Sequence, residues 1–230
     1  SHFGADANLF DKLEEMFKAY GENGAGKKRY YLHSEEEAAE HNKRLATSLK
    51  PGEFTPWEDI PPGTDMMFYE GLHGLVVHDK INMAQYVDLG VGVVPIVNLE
   101  WIQKIQRDNK ERGYSPEVIV DTILRRMPDY VNVITPQFSF TDINFQRVPT
   151  VDTSNPFIAR DIPTPDESLV IIRFKRLEKW GIDFPWLLNM IPHSFMSRRN
   201  TIVVPGGKMG YAMELILTPI IHDMLAKRKK

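Results

Sequence analysis

The chain has 230 residues, 42% of them hydrophobic, with 28 Lys and Arg against 31 Asp and Glu and a formal net charge of −3. That size suits one large α/β domain spanning 1–230, and the charge argues against non-specific nucleic-acid binding, which needs a broad cationic field. No cysteine is present, which excludes disulfides, thiolate metal sites and a cysteine nucleophile. No apolar run has transmembrane length and the N-terminus is not signal-like, so a cytoplasmic location without membrane partners is expected.

In chain order, Asn8 to Tyr20 shows helical spacing and stops at Gly21. Lys28 to Leu32 reads as a short strand, and Ser34-Glu35-Glu36-Glu37 as a capping box opening a polar helix to about Ser48. Pro51 to Thr64 is a loop, Asp65 to Tyr69 a strand, and Ile81 to Val87 a short helix. Val91 to Val97 is a β-branched run expected to be a buried strand, followed by a helix capped by Asn98 and closed at Gly113. Ser115-Pro116-Glu117 starts another helix, which halts before Pro128.

Val131 to Ile134 reads as a further buried strand, and Thr135 to Thr164 as a long loop of functional or interface type. Ser168 to Phe174 and Thr201 to Val204 are strands, and a long helix runs from Gly207 to the end with Pro219 kinking it. Lys227 to Lys230 is expected to be a solvated helix end that suits the helix dipole. Strands alternating with helices predict an α/β sheet, mixed and mostly parallel, flanked by helices.

The segment Asn98 to Arg112 is the most informative. At about 100° per residue, Lys104, Arg107, Asp108 and Arg112 fall within an arc of roughly 140°. Three cations and one carboxylate on one side of a helix that leaves a strand could hold a phosphate-bearing substrate. An ordinary amphipathic surface helix with i,i+4 ion pairs is the alternative.

Other motifs carry both readings. Glu70, between an apolar run and Gly71, either binds Mg²⁺ or makes a structural hydrogen bond. His33 ends the Lys28–Leu32 segment beside a helix cap and is a candidate ligand-binding or merely exposed histidine. Arg125 and Arg126 close a helix, where cations favour the dipole, or form an anion site. Gly21 to Lys27 fits the G-x-x-x-x-G-K pattern, but Lys28 replaces the required Ser or Thr and the run follows a helix, so it is not a phosphate loop. His73 and His78 have no ligand-spaced partners, and no zinc site is expected.

Five stretches together resemble the bacterial type of phosphoribulokinase: Phe68–Gly74, Asn98–Gly113, Leu124–Met127, Pro136–Pro149 and Val151–Phe157. The resemblance runs over essentially the whole chain. It implies a P-loop kinase fold and ATP-dependent phosphorylation of ribulose 5-phosphate to ribulose 1,5-bisphosphate for carbon fixation. It also implies Glu70 and Asp108 near Mg²⁺, Lys104 at the transferring phosphoryl group, and His33, Arg107 and Arg112 on the sugar phosphate. Arg125 and Arg126 match a pair tied to regulation and subunit contacts, with Arg173 and Arg198 as further candidates for effector anions. Similar enzymes are octamers activated by NADH and inhibited by AMP.

The family's strand–phosphate loop–helix and its general-base Asp are expected upstream of Ser1, so these 230 residues alone are expected not to turn over. A uridine-kinase-like enzyme and a non-catalytic oligomeric regulatory protein are the rival readings.

Overall fold

The computed structural model describes residues 1–228, so Lys229 and Lys230 of the cationic tail lie outside the described residues. Contacts divide the chain into two units: one made of Ser1–Asn8 with the chain from Glu70 onward, the other of Leu9–Tyr69.

The smaller unit holds helices α1 (Phe10–Asn23) and α2 (Glu35–Leu45) and the two-residue antiparallel strands β1 (Lys27–Lys28) and β2 (Glu58–Asp59). Ser34 caps α2 as its sequence requires, accepting from the Glu37 amide at 3.2 Å. Helix α1 runs past Gly21 and ends at Gly24, the first residue that takes a left-handed conformation (φ 70°). Of the expected Lys28–Leu32 strand only Lys28 joins a ladder, together with Lys27 in β1, with one isolated bridge from Tyr31 to Phe54.

Asp65–Tyr69 is not a strand. The segment joins no ladder, Phe68 is 85% exposed and Tyr69 packs edge-to-face on Phe17.

In the larger unit, the small hairpin β3 (Val77–His78) and β4 (Ile81–Asn82) replaces the front of the helix expected at 81–87, leaving a 3₁₀ turn at Met83–Tyr86. The main sheet contains β5 (Val91–Pro95), β6 (Ile143–Pro149), β7 (Ser168–Phe174), β8 (Phe195–Arg198) and β9 (Thr201–Pro205), in the order β5-β6-β7-β9-β8. Only β5 and β6 are parallel; the other three pairings are antiparallel. The sheet is therefore mixed, and among the described strands it is not mostly parallel. The reason is connectivity: only the β5–β6 crossover carries helices long enough to return the chain in the same direction, namely α3 (Val97–Arg112) and α4 (Pro116–Asp129).

Strand β6 lies inside the segment expected to be loop. Ile143 and Phe145 are fully buried and alternate with polar neighbours, the period of a strand covered on one face. Gly92 of β5 permits the close pairing: a Cβ there would stand 2.1 Å from Asn144 Oδ1. Ile143, Phe145, Val170, Ile172, Phe174, Ile202 and Val204 form one buried face. Helix α6 (Phe184–Met190) contributes Leu187, and α7 (Met209–Arg228) contributes Ala212, Ile216 and Ile220. The short α5 (Leu177–Trp180) packs beside them. Helix α7 includes Pro219.

Val131–Ile134 is not a strand. Helix α4 continues through Pro128 and passes into a π-helical turn over Tyr130–Ile134. Val133 and Ile134 are buried as expected, but Val131 is 51% exposed, and the segment is a helical turn rather than a strand.

Candidate functional site

Strand β5 ends at Pro95, and α3 begins after Ile96, which is in an extended conformation. Asn98 is not the cap: its side-chain amide donates to the Thr153 carbonyl at 2.9 Å. The helix closes at Gly113 (φ 68°), where glycine takes the left-handed conformation at no steric cost. Leu99, Ile102 and Ile105 form its buried stripe, and Ile105 packs against Ile119 and Ile123 of α4. That packing fixes where the neighbouring polar side chains emerge.

Asp108 is the centre of the polar group. It is 4% exposed and accepts from Lys104 Nζ at 2.5 Å on Oδ2 and from Arg107 Nε at 3.0 Å on Oδ1. Arg112 Nη1 stands 3.3 Å from Oδ1. Burial by itself would raise the Asp108 pKa, but hydrogen bonds from Lys104 and Arg107, with their charges, hold it below the ordinary aspartate value. The guanidinium groups of Arg107 and Arg112 are about half exposed, so both also face solvent.

A cavity of about 330 Å³ opens here, bordered by Lys104, Asp108 and Arg112 on α3 and by Val118, Thr122 and Arg126 on α4. A smaller cavity beside it is bordered by Glu100, Lys104, Arg126 and Tyr130. Arg126 and Lys104 line both. The Tyr130 hydroxyl donates to Glu100 Oε2 at 2.7 Å. Burial, then the Glu100 bond and charge, push the Tyr130 pKa far above the usual phenol value, so this hydroxyl remains a donor.

Glu70 is exposed and borders neither cavity. His33 belongs to the smaller unit, where its amide donates to Glu37 Oε2 at 2.8 Å and its ring Nδ1 is 3.2 Å from the same atom. Arg125 is exposed and borders neither cavity, unlike Arg126. Arg173 lies on β7 in register with Asn144 and Thr201, and Arg198 lies on β8 at the sheet edge; both are exposed. Gly21–Lys27 joins the end of α1 to β1, the reverse of a strand–loop–helix phosphate cradle.

No group of three or more His, Asp or Glu side chains suited to a metal occurs among the described residues. This donor set is still compatible with Mg²⁺, which is commonly held by one or two carboxylates together with substrate phosphates and water. Both Asp108 oxygens already face cations, so Asp108 can take a metal only when phosphate draws those cations away.

The model of the phosphoribulokinase/uridine kinase family matches residues 1–154. The chain belongs to that family. It is 60% identical to phosphoribulokinase of Nitrobacter vulgaris over 230 residues, covering all of this chain and 77% of the relative. It is 62% identical to the plasmid-encoded phosphoribulokinase of Cupriavidus necator, covering 100% of this chain and 76% of that protein. The solved structure of phosphoribulokinase from Rhodobacter spheroides superposes with a TM-score of 0.89 at 53% identity, covering 100% of this chain and 77% of that one.

Sequence reasoning about this family member passed over Glu100 and Tyr130. Glu100 stands four residues before Lys104, a spacing that could have flagged it; its link to Tyr130 spans 30 residues and has no local signal. Also missed was the path of the segment after β6. Phe157 stacks on Trp101 at 5.2 Å, and Gln106 donates to the Ala159 carbonyl at 2.9 Å, so residues 153–159 lie along α3.

Proposed function

We propose that this chain is a kinase that transfers the γ-phosphoryl group of ATP to the primary hydroxyl of ribulose 5-phosphate, with α3 on the sugar-phosphate side of its site. The product is ribulose 1,5-bisphosphate, the carbon-fixing substrate of the Calvin cycle. The observation that carries this reading is the convergence of Lys104, Arg107 and Arg112 on buried Asp108 at the edge of a 330 Å³ cavity.

Phosphoryl transfer asks a protein mainly for positioning and charge compensation. Arg107 and Arg112, as planar forks, suit the fixed phosphate of the sugar, and His33 is assigned to the same group. The compact Lys104 ammonium suits the moving phosphoryl, whose negative charge shifts toward the bridging oxygen of ADP as the bond to the sugar oxygen forms. Asp108, relieved of its cations by phosphate, and Glu70 are the carboxylates assigned to Mg²⁺; the ion neutralises charge on the triphosphate. Arg125, Arg126, Arg173 and Arg198 are assigned to effector binding and subunit contacts in a homo-octamer responding to NADH and AMP. A cytoplasmic setting completes the reading; no described helix is long and apolar enough to cross a membrane.

The test is a substrate comparison with the full-length protein, ATP and Mg²⁺. Ribulose 5-phosphate is expected to be phosphorylated and uridine not. Turnover of uridine without turnover of ribulose 5-phosphate would overturn the assignment.

A further inference from the structure

Lys104 stands between two carboxylates, each one helical turn away along α3. Asp108, toward the C-terminal end, holds it at 2.5 Å. Glu100, toward the N-terminal end, borders the smaller cavity with Lys104, Arg126 and Tyr130. A carboxylate four residues before a lysine is better placed to pair with it than one four residues after. Glu100 occupies the favoured place, yet Lys104 rests on Asp108.

Glu100 is itself fixed from outside the helix. Tyr130, on the π-helical turn after α4, donates to Oε2 at 2.7 Å, and Oε1 remains able to accept a second bond. Burial raises the Glu100 pKa, and the Tyr130 bond and the Lys104 charge offset this only in part. A half-buried carboxylate so placed gains from a closer cation.

We infer that Glu100, held by Tyr130, is the positioning residue of Lys104: once phosphate draws the cations away from Asp108, the Glu100 carboxylate keeps the Lys104 ammonium directed across the cavity. This rests on the kinase reading above. The Lys104 side chain would then exchange one carboxylate for the other without leaving the site. Tyr130 would do no chemistry; it fixes the Glu100 rotamer.

The experiment uses the full-length protein and first measures wild-type turnover of ribulose 5-phosphate. Absence of that turnover defeats the substrate reading and not the coupling claimed here, which the same variants would report on whichever sugar acceptor is turned over. Glu100→Gln keeps shape and the Tyr130 bond while deleting the charge. It is expected to lower kcat roughly tenfold, as misplacement of a reacting group does, with KM for the sugar phosphate within about twofold of wild type. Glu100→Asp should retain more activity than Glu100→Gln. In a Lys104→Met background, Glu100→Gln should cost nothing further, because a residue that acts through Lys104 has nothing left to position.

Equal losses from Glu100→Gln with and without Lys104, or a change in KM alone, would overturn the proposal. If Glu100→Gln does not fold, Tyr130→Phe in the two backgrounds reads the same coupling, with an expected loss of about threefold that vanishes without Lys104.

Discussion

Lys104 Nζ and Asp108 Oδ2 meet at 2.5 Å across one turn of α3, and the carboxylate is almost wholly buried while the ammonium is only partly so. Arg107 and Arg112 close on the same carboxylate. One aspartate thus engages three cations that the kinase reading gives to phosphates, leaving the group net positive. It is an internal competitor for the anions this site is assigned to bind.

Asp108→Asn should therefore tighten binding of inorganic phosphate in the absence of Mg²⁺, by roughly three- to tenfold, because charge-assisted bonds to the carboxylate are released for the ligand. Calorimetric titration gives the comparison, and unchanged affinity would show that the three cations do not bind this anion. The same variant has a pH signature. The Asp108 pKa is depressed in the fold, so its stabilising contribution is present above the ordinary aspartate value and is lost as pH falls through the folded one. The stability gap between wild type and Asp108→Asn should be open at pH 7 and narrow progressively as pH falls below the ordinary aspartate value.

The role assignments within the group separate kinetically. Lys104→Met should depress kcat by a factor on the order of 10² to 10³, the usual cost of deleting a group that meets developing charge, with little change in ATP KM. Arg107→Ala should mainly raise KM for the sugar phosphate, since a group on a non-reacting phosphate contributes uniform binding. Steady-state kinetics on both variants decides, and wild-type values for both would remove this helix from the site.

How much of this was legible in the sequence depended on whether the signal was local. The arc of Lys104, Arg107, Asp108 and Arg112 follows from helical period alone, and the structure places all four together. Helix ends at Ser34, Ser115 and Gly113 also follow from single residues with stated conformational preferences. Val131–Ile134 has strand composition but continues a helix past Pro128, because β-branched propensity yields to the packing of the turn that carries Tyr130. Strand β6 was hidden by flanking Asn, Asp and Pro residues, although Ile143 and Phe145 alternate correctly. Glu70 and His33 were placed with the site by resemblance alone; nothing in their local sequence fixes a tertiary partner.

The segment after β6 yields a prediction about order. Phe157 stacks on Trp101 with an interplanar angle of 28°, and the Asn98 and Gln106 side chains bond its backbone on either side. Phe157→Ala should cost about 1 kcal/mol beyond the area lost, the usual worth of an aromatic pair. It should also speed proteolysis within residues 150–164 and shift Trp101 fluorescence. An unchanged cleavage rate would mean that the polar bonds of Asn98 and Gln106 suffice to hold the segment.

Glu100 gives the opposite pH behaviour to Asp108, and the sign follows from burial. Its pKa is raised in the fold, by burial first, against the partial relief of the Tyr130 bond and the Lys104 charge; Arg126 borders the same cavity. Its favourable contribution is present below the ordinary glutamate value and is lost as pH rises through the folded one. Ionised Glu100 therefore weighs against stability at neutral pH, and Glu100→Gln should gain on wild type as pH rises from 4 to 8. The gain in Tm is expected on the order of 2 °C, where about 1 kcal/mol moves a domain of this size by 2–4 °C. Tyr130→Phe should move the other way, because it strips the hydroxyl that stabilises the ionised carboxylate, and its loss should be larger at pH 8 than at pH 4. Melting curves of the three proteins at both pH values measure this, and parallel shifts independent of pH would show that Glu100 ionises as freely in the fold as in the unfolded chain.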